Sequence, residues 1–178
     1  LSNSFALRTC VRAIDDRWGQ AGERVVLRGD GEPALQALLK AVAARRKGPT
    51  PVEVSPPGDH AANGAAEQGV RLAQGYARTL LAGLAIQLGV DDLPANSVLV
   101  PWAVRHGGWL YTRFAERHDG GTAWEGLHQK AYRGALAEFG EKVLHLRPEV
   151  DRGSKLAQRF APGLFLGREE RTGRYLIA

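Results

Sequence analysis

The sequence lacks several features that define whole classes of protein. It has no methionine and a single cysteine, Cys10, among 178 residues. One cysteine forms no internal disulfide and builds no zinc site alone, so a disulfide-stapled secreted domain and a zinc finger are not indicated. The longest apolar stretch, 80–90, is interrupted by Gly83, Gln87 and Gly89, so no segment resembles a membrane span. No signal-peptide pattern opens the chain, and we therefore expect a protein that is not secreted.

The motifs of several enzyme classes are also missing. The five histidines show neither HxxxH nor HExxH spacing, and the sequence has no GxSxG, no Walker loop and no dinucleotide-binding glycine pattern. Each of these patterns places ligands, a nucleophile or a phosphate cradle at a fixed spacing. Zinc peptidases, serine hydrolases, P-loop enzymes and nicotinamide dehydrogenases are therefore not indicated.

The composition is that of a globular protein with a basic balance. The chain is 44% hydrophobic and 24% charged, with a net charge of +5 from 24 Lys and Arg against 19 Asp and Glu. Its isoelectric point of about 9.7 makes a nucleic-acid partner worth considering, although charge alone does not identify one. Because the chain begins inside a helical pattern and has no methionine, we expect a piece of a longer polypeptide.

Hydrophobic periodicity predicts an α/β chain whose last forty residues differ from the rest. The predicted helices cover residues 3–18, 33–47, 65–88 and 98–114, and Thr122 is expected to cap a short helix that runs through Leu127. The predicted strands cover residues 23–27, 52–54, 142–146, 164–166 and 175–177. Helices dominate up to about residue 138, and strands follow it.

Two acidic residues stand out by position. Asp30 follows the predicted strand 23–27, at the edge where α/β folds place active residues. Glu67 lies in the first predicted turn of the long helix. If strands 23–27 and 52–54 are neighbours, both carboxylates reach one point, where such hard ligands would bind Mg²⁺ or Mn²⁺. The alternative is that Asp30 is a turn acid and Glu67 a helix-start acid favoured by the helix dipole.

A polar row continues from Glu67 along the long helix. Arg71, Gln74 and Arg78 follow at spacings of four, three and four residues, so all four side chains share one face. The apolar stripe beside the row is expected to pack on a core, and it consists of Val70, Ala73, Ala77, Leu81, Leu84 and Leu88. Taken by itself, the row is equally the solvated face of an amphipathic helix.

Six blocks follow one another along residues 23–178. They are VVLRGDGEPAL, SPPGDHAANGAAEQGV, PWAVRHGGWLYTRF, TAWEGLHQK, AEFGEKVL and GLFLGREERTGRYLI. Their order resembles the retroviral-type integrase core of copia-like retrotransposons. In that family a strand ends in Ser/Gly-Asp-Asn/Gly-x-Glu, and a Ser-Pro…Asn-Gly-x-x-Glu helix follows about 35 residues later. A tryptophan helix, a Thr-Pro-Tyr-Glu-x-Leu block, a Phe-Gly strand and a Phe-Leu-Gly hairpin come next.

This resemblance implies a ribonuclease H-like integrase core over residues 1–138 that lacks its first strand or strands, followed by a small β-strand extension over 139–178. It implies that Asp30 and Glu67 are the second and third of three catalytic, metal-binding acids. Two Mg²⁺ or Mn²⁺ ions in the intact site would support 3′-end processing and strand transfer. The first acid belongs to an upstream strand, and Asp15 and Asp16, on a predicted helix, do not fit that place.

The resemblance also implies the partners. The element's ends and target DNA are the substrates, with Asn63 and Gly64 shaping the turn that delivers Glu67. Arg71, Gln74 and Arg78 would run along the DNA and contact phosphates and sugars rather than bases. A homo-oligomer in the active complex, a nuclear location in the active state after a cytoplasmic particle, and no membrane partner are implied as well.

Three hypotheses of different classes remain. The first is a fragment of a retrotransposon polyprotein integrase, whose isolated chain would be inactive without the first acid. The second is a truncated or domesticated integrase-like module that binds DNA or protein without catalysis. The third is an unrelated soluble α/β domain, which Asp30 and Glu67 pointing apart would favour.

Overall fold

The computed structural model describes residues 4–56, 60–148, 154–170 and 172–178. In this part of the chain the fold is mixed α/β, as the sequence predicts. The helices are α1 (Ser4–Arg12), α2 (Pro33–Arg45), α3 (His60–Leu88), α4 (Val100–Phe114) and α5 (Ala123–His128). The strands are β1 (Leu27–Gly29), β2 (Val52–Val54), β3 (Lys142–Leu146), β4 (Phe160–Arg168) and β5 (Tyr175–Ile177). The backbone forms two compact units, Leu1–Gly69 and Val70–Ala178.

The first unit contains a parallel strand pair beside α2. Leu27 pairs with Val52 and Gly29 with Val54, which confirms the predicted neighbours. The strand predicted at 23–27 begins later, at Leu27, for a reason that lies in its partner. Pro49 and Pro51 accept hydrogen bonds from this strand through their carbonyls, but a proline has no N–H to return. Regular hydrogen bonding in both directions between the two strands therefore starts only at the pair Leu27 and Val52.

A buried ion pair joins the helices of this unit. After α1 the chain makes one π-helical turn, Ala13–Arg17, in which the Trp18 N–H donates to the Ala13 carbonyl at 3.0 Å. Asp15 lies in that turn. Its Oδ1 accepts a hydrogen bond of 2.7 Å from Nε of Arg46, the residue after α2. The Arg46 guanidinium also donates to Thr50, so its charge is buried with partners.

Helix α3 begins earlier than its sequence predicts. Periodicity predicted a start at residue 65, and the resemblance placed a turn at Asn63 and Gly64, whereas the helix runs from His60. A glycine inside a helix costs about 0.5–1 kcal/mol relative to alanine. Alanines surround the pair in the sequence, at 61, 62, 65 and 66, and alanine is the best helix former, so the helix continues through it.

The second unit packs helices against an antiparallel sheet of order β3-β4-β5. Lys142 pairs with Leu164, and Phe165 pairs with Ile177. The core of the unit brings both kinds of element together, and its buried members are Ala77, Leu84, Ala103, Phe139 and Leu166. Since the sheet supplies Leu166 to the same core as the helices, the strands are an integral part of this unit. The domain division at 138/139 stays a prediction, and the compact units themselves divide at 69/70.

Several details of this unit confirm the sequence analysis. Thr122 caps α5 in a capping box with Glu125, with both reciprocal hydrogen bonds formed. Strands β3 and β5 have the predicted bounds. Strand β4 extends beyond the predicted 164–166 at both ends, from Phe160 through Pro162 and Gly163 to Arg168. Within the described residues, no helix is both long and apolar enough to cross a membrane.

Candidate functional site

Asp30 lies where the parallel strand pair ends. It directly follows β1, and the carbonyl of the preceding Gly29 accepts a 2.9 Å hydrogen bond from the Ser55 N–H, just after β2. Gly29 is buried, and a Cβ there would lie 2.9 Å from Cδ1 of Leu39 and 3.0 Å from Cδ2 of Leu35. Glycine thus allows α2 to pack closely against the end of β1. Asp30, the next residue, is exposed at the carboxyl edge of the strand pair.

The side chain of Asp30 also has a local structural role. Its Oδ1 accepts a 3.0 Å hydrogen bond from the Glu32 N–H, and its carbonyl accepts one from the Gln36 side chain. These bonds fix the turn that leads into α2. An ionised carboxylate has about four lone-pair sites, so one N–H donor leaves capacity for a cation. Both readings of Asp30, turn acid and metal ligand, are compatible with this geometry.

Glu67 is the eighth residue of α3 and is exposed. It therefore lies about 10 Å along the helix axis from His60. The interpretation of Glu67 as a helix-start acid is wrong, since the first turn of α3 holds no acid and the dipole effect is confined to that turn. Gly64 is an exposed residue within the helix, so Gly64 and Asn63 do not form the expected turn. The Asn63 side chain lies outside the described residues.

A shared metal site of Asp30 and Glu67 stays a prediction. Both carboxylates are exposed and belong to the first unit. In the described ranges, no group of three or more His, Cys, Asp or Glu side chains is arranged to hold a metal ion. Asp15 differs from these two acids, because its side chain is only 11% exposed and forms an ion pair with Arg46. The donor chemistry of the two exposed acids suits a hard divalent cation, and a third carboxylate ligand is not supplied by the described residues.

The polar row on α3 is exposed, as its spacing predicts. Arg71, Gln74 and Arg78 are all exposed, and the described residues give neither arginine an ion-pair partner. Of the expected apolar stripe, Ala77 and Leu84 are buried. Its two ends, Val70 and Leu88, are 57% and 55% exposed, because the buried core reaches only the central turns of the helix. Two cations are thus available to solvent on this face.

A cluster around Arg113 was not anticipated. Arg113, on α4, is 5% exposed, and its guanidinium lies 4.2 Å from the ring centre of Trp109 and 4.5 Å from that of Trp124. Glu170 Oε1 lies 3.7 Å from its Nη1. Tyr132 packs edge-to-face on both tryptophans. The four-residue spacing of Trp109 and Arg113 is the one local signal in the sequence, since the other members come from distant segments.

Burial shifts the pKa of two groups of this unit, Arg113 and His106. Burial lowers the pKa of Arg113, and the charge of Glu170 opposes that shift. Burial also lowers the pKa of His106 from 6.5 to about 4. His106 is 2% exposed and is stacked with Trp109 and Phe139. His106 is therefore neutral near pH 7 and packs as an uncharged ring within the aromatic core.

Comparison of the chain with protein-family models, with curated proteins and with solved structures gives no match.

Proposed function

We propose that this chain is part of the catalytic core of a copia-type retrotransposon integrase, with a ribonuclease H-like fold. The observation that carries the proposal is the exposed Asp30 at the carboxyl edge of a parallel strand pair. Open α/β sheets bind their ligands at the carboxyl ends of their strands. The collinear sequence blocks add the second support, because they assign the catalytic acids to Asp30 and to Glu67 on the following helix.

The reaction proposed for the intact enzyme is metal-dependent trimming and joining of DNA ends. Two bound Mg²⁺ or Mn²⁺ ions would activate the attacking oxygen and stabilise the leaving oxygen of a phosphodiester. The chain's own residues would supply position and charge. Asp30 and Glu67 would present carboxylate oxygens, and Arg71, Gln74 and Arg78 would hold the DNA backbone. We place this activity in the nucleus, within a homo-oligomer.

A second candidate function is an integrase-like module that binds DNA or protein without catalysis. The hydrogen bond from the Glu32 N–H to Asp30 Oδ1 favours it. Through that bond Asp30 stabilises the turn that leads into α2, which is a structural role that requires no metal. The exposed arginines of α3 would serve such a module equally well.

Cation binding separates the two candidates. Titration of the chain with Mn²⁺, followed by the loss of the free-ion electron paramagnetic resonance signal, measures the affinity directly. If the acids share a site, Asp30→Asn and Glu67→Gln each weaken Mn²⁺ binding by about tenfold or more, since each removes one charged ligand. Asp16→Asn is the matched control, because Asp16 is an exposed acid of the same unit.

An Mn²⁺ affinity that is the same in the Asp30, Glu67 and Asp16 variants supports the module without catalysis. An affinity that falls in one catalytic variant alone contradicts a shared site.

A further inference from the structure

A cleft of about 620 Å³ opens beside the aromatic cluster of the second unit. Its volume lies in the range of small-molecule sites. Two of its residues are cations, two carry aromatic rings and none is acidic. The lining consists of Trp124, Lys130, Ala131, Tyr132, Arg133 and Gly134. Rings combined with cations are typical of surfaces that bind single nucleic-acid strands, where bases stack and phosphates meet positive charge.

The aromatic floor of the cleft is fixed by its packing. The Tyr132 ring meets Trp109, Phe114 and Trp124 at near-perpendicular angles, with centroid distances of 5.1, 5.7 and 5.4 Å. The Trp124 ring is held by the Arg113 guanidinium, 4.5 Å from its centre, and by the His128 ring, whose centre lies 3.8 Å away. Because these rings are already ordered, a ligand that contacts them loses little affinity to side-chain ordering.

The cations of the cleft come from an anchored, irregular segment. Gln129 ends α5 with φ of 56°, a left-handed conformation that is uncommon for a non-glycine residue. Lys130 follows at once, and residues 130–138 form neither helix nor strand. Farther along, Arg168 donates to the Ala135 carbonyl, and Gln87 donates to Glu138 at 3.0 Å. The segment that carries Lys130 and Arg133 is therefore held on one side by the turn at Gln129 and on the other by the hydrogen bonds at Ala135 and Glu138.

We infer that this cleft binds an unpaired nucleotide of a nucleic-acid strand. The base would lie in the cleft against Tyr132 and the part of Trp124 that Arg113 and His128 leave uncovered, and the flanking phosphates would meet Lys130 and Arg133. This inference rests on the proposed function, which makes DNA the partner. It adds a contact for unpaired bases, which the phosphate-contacting row on α3 does not supply.

The test compares two fluorescent strands of equal length and charge, an oligothymidine and an abasic strand. Base stacking is expected to make the thymidine strand bind about tenfold tighter or more, measured by fluorescence anisotropy. The double variant Lys130→Ala/Arg133→Ala is expected to weaken thymidine binding by about tenfold or more. The control double variant Lys155→Ala/Arg174→Ala, which removes two exposed cations of the same unit, is expected to change it less than about twofold.

A second variant tests the cleft without removing a cation. Ala131→Glu places a carboxylate in the cleft at an exposed position, so it should leave the unfolding midpoint unchanged and weaken thymidine binding by about tenfold or more. Equal affinity for the two strands would overturn the inference, as would equal losses in the two double variants. Displacement of the thymidine strand by polyglutamate as readily as by unlabelled oligothymidine would also overturn it, since charge alone would then be recognised.

The proposed function fails by a different measurement. Mn²⁺ binding that does not depend on Asp30 and Glu67 contradicts a catalytic core, whereas the comparison of thymidine with abasic strands reports on the cleft alone. The two failures are therefore distinguishable.

Discussion

Arg46 and Asp15 form an ion pair with 2.7 Å between Nε and Oδ1, in which the arginine side chain is fully buried and the aspartate side chain is 11% exposed. The pair ties the π-helical turn after α1 to the end of α2. Removing one partner of such a pair leaves an uncompensated charge away from water. It is the most strongly shielded ion pair among the described residues.

Arg46→Ala is therefore expected to lower the free energy of unfolding of the chain by about 3–5 kcal/mol. Urea denaturation followed by circular dichroism measures the change. Arg45→Ala removes an exposed arginine one residue earlier and should stay within about 0.5 kcal/mol of the parent. Equal stabilities of the two variants would show that the ion pair contributes nothing.

Gly29→Ala should destabilise the first unit by about 1–3 kcal/mol, because the new Cβ would press on the Leu39 and Leu35 side chains. Gly31→Ala is the control, since a Cβ at Gly31 meets no atom within 4 Å. Urea denaturation compares the two variants. A Gly29 variant as stable as the Gly31 variant would mean that α2 yields freely at this contact.

The buried His106 predicts a loss of stability in mild acid. Its pKa is about 4 in the folded chain and near 6.5 when unfolded, so the unfolded state binds more protons between these values. The free energy of unfolding should therefore fall as the pH drops from 6.5 to 4, by about 3 kcal/mol in total from this group. Unfolding measured across that range should show a flatter profile for His106→Gln.

The isolated chain should not join DNA ends in the presence of Mg²⁺ or Mn²⁺. The resemblance requires three acids, and Asp15 is held by Arg46. A gel assay with labelled duplex ends and a plasmid target measures joining. Joining that disappears in Glu67→Gln would show that another residue of this chain acts as the first acid.

Binding to duplex DNA should be weak, tolerant of sequence and steeply dependent on salt, because each neutralised phosphate releases about one counterion. The double variant Arg71→Ala/Arg78→Ala should lower the salt slope by up to about two if both arginines contact phosphates. The control Lys142→Ala/Arg174→Ala removes two exposed cations of the second unit, one on β3 and one just before β5. If the control lowers the slope and the α3 variant does not, the DNA path runs over the strands. Point variants are used here rather than a chain shortened before the sheet, because the shortened chain would lose Phe165 and Leu166 of β4, which are buried.

Local sequence signals predicted much of the fold. Pro33 at the first position of α2 and Thr122 at the cap of α5 act within one turn of the chain, and the structure has both features. The errors arise where a distant partner decides. Pro49 and Pro51, which precede the neighbouring strand β2, move the start of β1 to a later residue than the sequence predicts. Trp18, an apolar residue of the predicted helix 3–18, is 65% exposed, because helical spacing does not specify what packs against a side chain.

In the candidate site, too, the sequence predicted the residues placed by local signals and missed those placed by distant partners. The position of Asp30 follows from β1 and the adjacent turn, so the sequence predicted its place at the sheet edge. The position of Glu67 depends on where α3 begins, and the Asn63-Gly64 pair suggested a later start than His60. Arg113 draws its partners from α5, from the segment after it and from beyond β4. No periodicity within one element connects such residues.

The π-helical turn at Ala13–Arg17 is the last turn of the first helical segment, and it changes the rotation between α1 and the residues that follow it. Successive residues of an α-helix are rotated by about 100°, so one extra residue turns everything after it by that angle. Helix α1 lies against α2, while Asp15 faces Arg46 at the end of the same helix. Deleting one residue before Asp15 would restore a uniform repeat and turn these two faces apart. The chain thus uses one additional residue to direct two contacts toward the same neighbour.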